Sequence, residues 1–333
     1  MTAPGHQRPV RIAVLGCAAI ARRRMLPAFE ASPHTQVTCV ASRNGRRAAE
    51  LAGQYGCAAV DGYEAALADA EADAVYVPLP AALHATWVEK ALLAGKHVLA
   101  EKPLTLHRRK TAELGALARE RGLALMENVM FVHHAQHERV RQLVADGVIG
   151  ELRTFQAMFT VPRLPDGDIR FDPGLGGGAL TDTGVYPVRA ALHLLGAGLQ
   201  VVGSSLTRGV GFTVDTAGAA LLRSPQGVTA QLSFGLDHGY RSAYELGGSQ
   251  GRIVLDRAFT PPPDHHPVIR VENRDGSTEL KLAPEDQVAA TVAAFAAAVR
   301  AAAPLDEASL EQARVLDEVR RHALGGPLPA ESA

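Results

Sequence analysis

Residues 10–21 read Val-Arg-Ile-Ala-Val-Leu-Gly-Cys-Ala-Ala-Ile-Ala, an apolar run that stops at Gly16 and is followed by a helical pattern. The run of β-branched and aliphatic residues predicts a buried strand, and the spacing of apolar residues after it predicts a helix. A strand that turns into a helix at a glycine is typical of the first βα unit of dinucleotide-binding domains.

The full fingerprint of such turns is G-x-G-x-x-G, and here Gly16, Ala18 and Ala21 hold the three glycine positions. The first position needs glycine for the tight turn, whereas alanine is small enough for phosphate approach and for helix–strand packing at the others. Backbone amides at the helix start can then bind phosphate oxygens. An ordinary strand-to-helix turn remains the alternative. The predicted pyrophosphate-binding residues are Gly16, Cys17, Ala18, Ala19, Ile20 and Ala21.

The end of the second predicted strand, Ser42-Arg43, indicates which dinucleotide binds. NAD enzymes usually place Asp or Glu here to bond the ribose 2′-hydroxyl, and this chain has no carboxylate at that position. Ser42 can donate a hydrogen bond and Arg43 can form charge-assisted bonds to a 2′-phosphate. The alternative is a solvent-exposed basic helix start. We therefore predict that the cofactor is NADP(H).

Strand and helix patterns alternate along residues 1–126, which predicts βαβ units and a doubly wound parallel Rossmann sheet. Residues 127–333 differ, because most of their strand patterns follow one another without helices between them. That part predicts an α+β domain on a large, mostly antiparallel open sheet, for substrate binding and oligomerisation. Its last helix can pack back on the first domain.

Composition excludes several classes of protein. The formal net charge of −1 over 333 residues argues against nucleic-acid binding. Residues 1–8 lack the apolar core of a signal peptide, and no apolar run is long enough to span a membrane, so we expect a cytoplasmic protein. Three cysteines without CxxC spacing, and histidines without an H-E-x-x-H motif, predict no metal site.

Two further motifs identify a family. Glu101-Lys102-Pro103 follows a short predicted strand, and residues 176–186 read Gly-Gly-Gly-Ala-Leu-Thr-Asp-Thr-Gly-Val-Tyr. Together with the N-terminal turn, these motifs resemble the Gfo/Idh/MocA oxidoreductases over residues 10–325. The resemblance implies a Rossmann domain followed by a domain with a large open sheet.

The resemblance also implies a nicotinamide in the cleft between the two domains, against Lys102. The segment from Pro78 to His84 resembles, loosely, a family loop that covers the cofactor. The residues expected to contact the cofactor on these grounds are Leu79, Pro80, His84, Glu101, Arg170 and Asp182.

Within the family, residues 20–29, 169–173 and 184–187 look most like the nucleotide-sugar 3-ketoreductases of deoxysugar biosynthesis. That branch implies NADPH-dependent reduction of the 3-keto group of a dTDP-linked 3,4-diketo-2,6-dideoxyhexose, in antibiotic pathways. The family resemblance also implies a homodimer or homotetramer. Two other functions stay open: an NADP-dependent dehydrogenase of a free sugar or cyclitol, and a non-catalytic NADP-binding sensor.

Ketone reduction needs a hydride at carbon and a proton at oxygen, so the protein has to supply an acid. Lys102 is the first candidate, because an ammonium group stabilises the developing alkoxide and can donate a proton. Tyr186 is the second; many relatives carry His there, and a tyrosine relays protons less readily near neutral pH. We expect Pro103 to follow a cis peptide bond, and Glu101 to point away from Lys102.

A nucleotide-sugar also needs cations for its diphosphate and an aromatic surface for its base. A solvent-exposed position without a ligand is the alternative for Arg163 and Tyr244. The alternatives are a surface lysine before a proline for Lys102, and packing with a satisfied hydroxyl for Tyr186. The predicted substrate-binding residues are Arg24, Tyr63, Lys102, Arg163, Tyr186 and Tyr244.

Overall fold

The N-terminal part of the chain is built on a parallel sheet. In the computed structural model, which describes residues 8–325, its six strands are β1 (Val10–Leu15), β2 (Thr35–Ser42), β3 (Ala58–Asp61), β4 (Ala74–Val77), β5 (His97–Glu101) and β6 (Leu125–Asn128). They lie in the order β3-β2-β1-β4-β5-β6, and each neighbouring pair is parallel. The predicted Rossmann sheet is confirmed. Strand β3 was not predicted, because this edge strand is short and largely exposed.

Helices connect these strands. They are α1 (Leu26–Ala31), α2 (Gly45–Gln54), α3 (Tyr63–Ala68), α4 (Ala81–Leu93) and α5 (Arg108–Glu120). A π-helical turn, Ala21–Met25, precedes α1. Asn44 caps α2, since its side-chain oxygen accepts a hydrogen bond from the Arg47 amide at 3.2 Å. The central strands are buried on both faces, as covered parallel strands are.

A second sheet follows. Its eight strands in the described chain are β7 (Leu152–Thr160), β8 (Gln200–Thr207), β9 (Ala217–Arg223), β10 (Thr229–Gly235), β11 (Arg241–Gly248), β12 (Gly251–Asp256), β13 (Val268–Asn273) and β14 (Gly276–Lys281). The order is β14-β13-β12-β11-β7-β10-β9-β8. Every neighbouring pair is antiparallel except β7 and β10, which are parallel, so the prediction of a mostly antiparallel open sheet is confirmed.

Helices α6 (Ala135–Ala145), α7 (Val185–Leu195) and α9 (Glu307–Leu324) contribute apolar side chains to the core of this second sheet. A π-helical turn, Leu180–Gly184, leads into α7. The opposite face of the sheet exposes several apolar side chains, among them Met158, Val202 and Leu221. Helix α8 (Gln287–Arg300) lies in the sequence between the last strand and α9.

The chain divides into two compact units whose bounds differ from the predicted domains. The first comprises the chain through Thr105, Arg109–Asn128 and Val288–Asp306; the second comprises Leu106–Arg108, Val129–Gln287 and the chain from Glu307. Most of α8, rather than the last helix, therefore joins the first unit. Leu305 lies against Gly115 of α5, whereas Val315 and Val319 of α9 belong to the core of the second unit. Residues 1–7, part of the polar start, lie outside the described residues.

Candidate active site

The turn after β1 has the geometry that its sequence predicts. Gly16 has φ of +119°, a conformation that side chains rarely adopt, and its amide donates to the Ala41 carbonyl at 2.8 Å. A methyl group at Gly16 would lie 3.1 Å from Cδ2 of Leu79 and 3.9 Å from the Tyr63 hydroxyl. Ala21 is fully buried, so a small residue is needed there too. The turn therefore leaves an open cradle that fits a dinucleotide pyrophosphate.

The end of β2 lies next to this turn. Ser42 is 7% exposed, and its hydroxyl accepts a hydrogen bond from the Asn44 amide at 3.1 Å. The thiol of Cys17 lies 3.6 Å from the Arg47 carbonyl, and burial raises the pKa of that thiol. Arg43 is exposed beside Ser42, and the α2 turn carries the exposed Arg46 and Arg47. Neither position 42 nor position 43 is Asp or Glu, so this edge is cationic and fits a ribose 2′-phosphate.

His84 is buried between two backbone carbonyls. It is 1% exposed, and its two ring nitrogens lie 2.8 Å from the Pro103 carbonyl and 2.7 Å from the Leu79 carbonyl. Burial lowers the pKa of His84. The structure does not support the expected contact between His84 and a cofactor, because both nitrogens already face protein carbonyls. The Lys102–Pro103 peptide is cis, as predicted.

Glu101, also expected at the cofactor, is held from inside the first unit. Its Oε1 accepts hydrogen bonds from the Tyr76 hydroxyl at 2.7 Å and from Nδ2 of Asn128 at 2.6 Å. Burial, together with the neighbouring Glu101, raises the pKa of Tyr76 well above its usual value. The structure thus assigns Glu101 a place in a buried network at the carboxyl ends of β4, β5 and β6. Lys102, next in the chain, is half-buried.

In the second unit, the glycine-rich segment packs too closely for side chains. A methyl at Gly177 would lie 2.5 Å from the Arg170 carbonyl oxygen, and one at Gly178 would lie 2.5 Å from Oδ1 of Asp215. Asp215 also accepts a hydrogen bond from the Leu180 amide at 2.7 Å, and burial raises its pKa. Asp215 was not predicted, because an isolated aspartate between strands carries no spacing signal.

Arg170 and Asp182, both predicted to contact the cofactor, contact each other. Nε of Arg170 donates to Oδ2 of Asp182 at 2.8 Å, and its Nη1 donates to Oδ1 of Asp168 at 3.1 Å. Burial lowers the pKa of Arg170, but the two carboxylates outweigh it and the pKa is raised. The ion pair fixes the π-helical turn that leads into α7.

Tyr186 lies in the first turn of α7, against an aromatic cluster of the second unit. Its ring centroid is 4.6 Å from that of Phe159, 5.8 Å from that of Phe259 and 6.1 Å from that of Phe131. The Phe159 contact is edge-to-face, at an interplanar angle of 61°. These contacts restrict the direction of the phenol ring.

The predicted substrate ligands differ in their surroundings. Arg24 is half-exposed on the π-helical turn before α1. Arg163 is exposed, and it pairs with Asp166 at 3.1 Å and with Asp237 at 3.4 Å. Tyr63 is 6% exposed, with its hydroxyl next to Gly16, which places it beside the dinucleotide turn.

Tyr244 is in the protein core. It is 2% exposed, and its hydroxyl lies 2.9 Å from Nδ1 of His137, which is itself buried. The structure does not support Tyr244 as a substrate ligand, because the β11 side chain points into the apolar layer of the sheet.

Two further features concern metals and membranes. Among the residues that the structure describes, no group of three or more His, Cys, Asp or Glu side chains is placed to hold a metal ion. Across residues 8–325, no helix combines the length and the apolar content that a membrane crossing requires.

Comparisons with known proteins agree with this architecture. Residues 10–129 match the oxidoreductase family with an NAD-binding Rossmann fold, GFO/IDH/MocA, and residues 137–254 match the GFO/IDH/MocA C-terminal domain. The chain is 52% identical, over 95% of its length and 96% of the relative's, to a dTDP-3,4-didehydro-2,6-dideoxy-alpha-D-glucose 3-reductase of Streptomyces violaceoruber. It is 50% identical, over 96% of its length and 97% of the relative's, to the reductase of the same name from Actinomadura kijaniata.

A solved structure gives the same result. A 3-ketoreductase from Actinomadura kijaniata in complex with NADP and TDP-benzene superposes with a TM-score of 0.92 at 51% identity, covering 95% of this chain and 98% of that one. Variants of that reductase with one tyrosine or one lysine replaced have also been crystallised. The chain therefore belongs to the GFO/IDH/MocA family of oxidoreductases.

Proposed function

We propose that this protein uses NADPH to reduce the C-3 keto group of a dTDP-linked 3,4-diketo-2,6-dideoxyhexose, as a step in the biosynthesis of a deoxysugar for an antibiotic. The observation that carries the proposal is about half identity over nearly the full length to dTDP-3,4-didehydro-2,6-dideoxy-glucose 3-reductases. The aligned region includes both units and therefore the residues to which we assign roles in binding and catalysis.

The cofactor is held by the first unit. The cradle at Gly16 and the amides of residues 17–21 take the pyrophosphate, while Ser42 and Arg43 take the 2′-phosphate. Leu79 and Pro80 line the same site, since Cδ2 of Leu79 lies next to Gly16. When bound, NADPH supplies the hydride that adds to the carbonyl carbon.

The proton comes from the protein. The carbonyl oxygen gains negative charge as hydride arrives, and the Lys102 ammonium both stabilises that charge and donates the proton that completes the alcohol. Tyr186 donates a hydrogen bond that polarises the carbonyl, with the direction of its ring set by Phe159. Glu101, Arg170 and Asp182 keep the surrounding backbone in place.

The diphosphate of the substrate needs cations, and we assign that role to Arg24, which is half-exposed, and to Arg163, which is exposed beside its two carboxylate partners. Tyr63 lies beside the dinucleotide turn and lines that end of the site. We also infer a homodimer or homotetramer that works in the cytoplasm. The exposed apolar side chains on the open sheet face, Met158, Val202 and Leu221, support assembly, and light scattering tests it.

The decisive experiment follows NADPH oxidation with a panel of dTDP-keto-sugars, free sugars and cyclitols. We expect turnover only with dTDP-linked keto-sugars, with the reduced carbon identified by NMR of the product. A Lys102→Ala variant serves as the control, and it should bind NADPH but lose most of its turnover. Turnover of a free sugar or cyclitol at a higher kcat/KM would replace the proposal with a dehydrogenase, and NADPH binding without any turnover would indicate a sensor.

A further inference from the structure

His84 joins two loops of the first unit. It lies in α4, and its ring nitrogens face the carbonyl of Leu79, just beyond β4, and the carbonyl of Pro103, just beyond β5. Strands β4 and β5 are neighbours, so these loops leave the same edge of the sheet. One buried imidazole therefore spans the loop at the dinucleotide turn and the loop that carries Lys102.

The chemistry of imidazole makes the two contacts unequal. A neutral ring has one N–H donor, and both of its neighbours here are carbonyl acceptors. Proton placement on Nδ1 gives a donor to Pro103, and placement on Nε2 gives a donor to Leu79. Burial lowers the pKa of His84; the carbonyls and nearby Glu101 oppose that shift, and Lys102 adds to it.

Lys102 is consequently fixed from both sides. On one side, the Glu101 carboxylate is held by Tyr76 and Asn128. On the other side, the carbonyl of Pro103 is held by His84. An ammonium group acting as an acid has to stay within hydrogen-bond reach of the carbonyl oxygen, and small misplacements are costly in rate.

We propose that His84 is a positioning residue, in which Nδ1–H donates to the Pro103 carbonyl and thereby fixes Lys102 for proton transfer. The inference rests on the role assigned to Lys102 in the proposed function. It differs from a cofactor contact, because the side chain is 1% exposed and both of its ring nitrogens face protein carbonyls.

Three variants separate the two contacts. Asparagine carries its amide nitrogen at the same number of bonds from Cα as Nδ1, and glutamine carries its own at the same number as Nε2. His84→Asn can therefore keep the donor to Pro103, His84→Gln the donor to Leu79, and His84→Phe neither. The matched control is His97→Phe. His97 starts β5, at the end opposite Glu101, and its Nδ1 also makes a single backbone contact, accepting from the Ala124 amide at 2.9 Å.

We expect His84→Phe to lower kcat about 10- to 100-fold with the substrate that the wild type reduces, while KM changes less than about threefold. Proton transfer becomes limiting, so the solvent deuterium isotope effect on kcat increases. His84→Asn should recover most of the loss and His84→Gln little of it. His97→Phe should keep the wild-type kcat and isotope effect even where it lowers the melting temperature.

Hydrogen exchange of the peptide spanning residues 101–105, measured without substrate, gives a readout that does not depend on the reaction. Faster exchange in His84→Phe, restored in His84→Asn, supports the contact even if no dTDP-sugar is turned over, an outcome that would overturn the proposed function alone. Unchanged exchange overturns the contact. Faster exchange with wild-type kcat and isotope effect overturns the positioning role.

Discussion

Replacing Gly16 with alanine tests the cradle that the N-terminal turn provides. The substitution adds one methyl group at a residue whose φ is +119°. It leaves every hydrogen bond of the turn formally possible, including the bond from the Gly16 amide to the Ala41 carbonyl. Any loss therefore reports backbone conformation and the space around Cβ.

Two costs add. A non-glycine residue in such a sparsely populated region costs about 1–3 kcal/mol. The new methyl would lie 3.1 Å from Cδ2 of Leu79, a contact that the flexible leucine side chain can relieve by a small movement. We expect the free energy of unfolding of the first unit to fall by about 2–3 kcal/mol. Since Leu79 must move at the cofactor cradle, the Kd for NADPH should rise at least about tenfold, which is about 1.4 kcal/mol.

Two glycines of the same unit provide controls. Gly56 has φ of +61° with nothing within 4 Å of the place that an added methyl would take, so Gly56→Ala carries the backbone cost alone, about 1–2 kcal/mol. Gly53 lies within α2, also with open space, and Gly53→Ala should stabilise by about 0.5–1 kcal/mol. Neither control should change NADPH affinity.

Trp87 is the single tryptophan of the chain, and its fluorescence reports unfolding of the first unit, which also contains Gly16. It lies in α4, with its ring centroid 4.8 Å from that of Tyr63. Urea unfolding followed by its fluorescence gives the free energy of unfolding, and isothermal titration gives the Kd for NADPH. The reasoning is refuted if Gly16→Ala costs no more stability than Gly56→Ala and binds NADPH as tightly as the wild type.

Three other outcomes are expected. Arg43→Ala should weaken NADPH about 10- to 100-fold by loss of charge-assisted bonds and leave NADH nearly unchanged; equal losses for both cofactors in titration would contradict its role. Burial lowers the pKa of His193 from 6.5 to about 4, so between these values only the unfolded state takes up its proton. The His193 contribution to stability should therefore fall by up to about 3 kcal/mol as the pH drops through that window, and His193→Leu should make the acid dependence in urea melts shallower by that amount, with the other buried histidines still contributing; an unchanged acid limb would be inconsistent with it. Arg170→Met should cost about 1–2 kcal/mol, because its ion pairs are partly exposed, and Asp182→Asn in the same chain should restore part of it; additive losses in chemical denaturation would show that the pair is not coupled.

Patterns of apolar residues predicted most of the fold. Strand β1 agrees with the apolar run predicted before Gly16, because buried parallel strands require continuous apolar runs that the sequence shows directly. Strands β3, β13 and β14 were missed. Strands β3 and β14 are exposed edge strands with little apolar signal, and the sequence of β13, an inner strand, mixes apolar with charged and polar residues.

Motifs predicted some residues of the candidate site better than others. Gly16, Ser42 and Arg43 lie at the ends of β1 and β2, where motif position places them, and their contacts with a cofactor stay predictions. The individual histidine and tyrosine assignments fared worse. Motif position predicted that His84 contacts the cofactor, and the need for an aromatic residue predicted that Tyr244 contacts the substrate. Burial and hydrogen bonding assign both side chains to the protein interior.

The sequence by itself determined the family, the two sheets, the cofactor turn and the candidate acids Lys102 and Tyr186, because these depend on residue type, local periodicity and spacing along the chain. Only the tertiary structure decided which polar groups are already paired. Glu101 with Asn128, and Arg170 with Asp182, meet because strands and turns distant along the chain end side by side. A residue's available chemistry depends on such neighbours, and spacing along the chain does not reveal them.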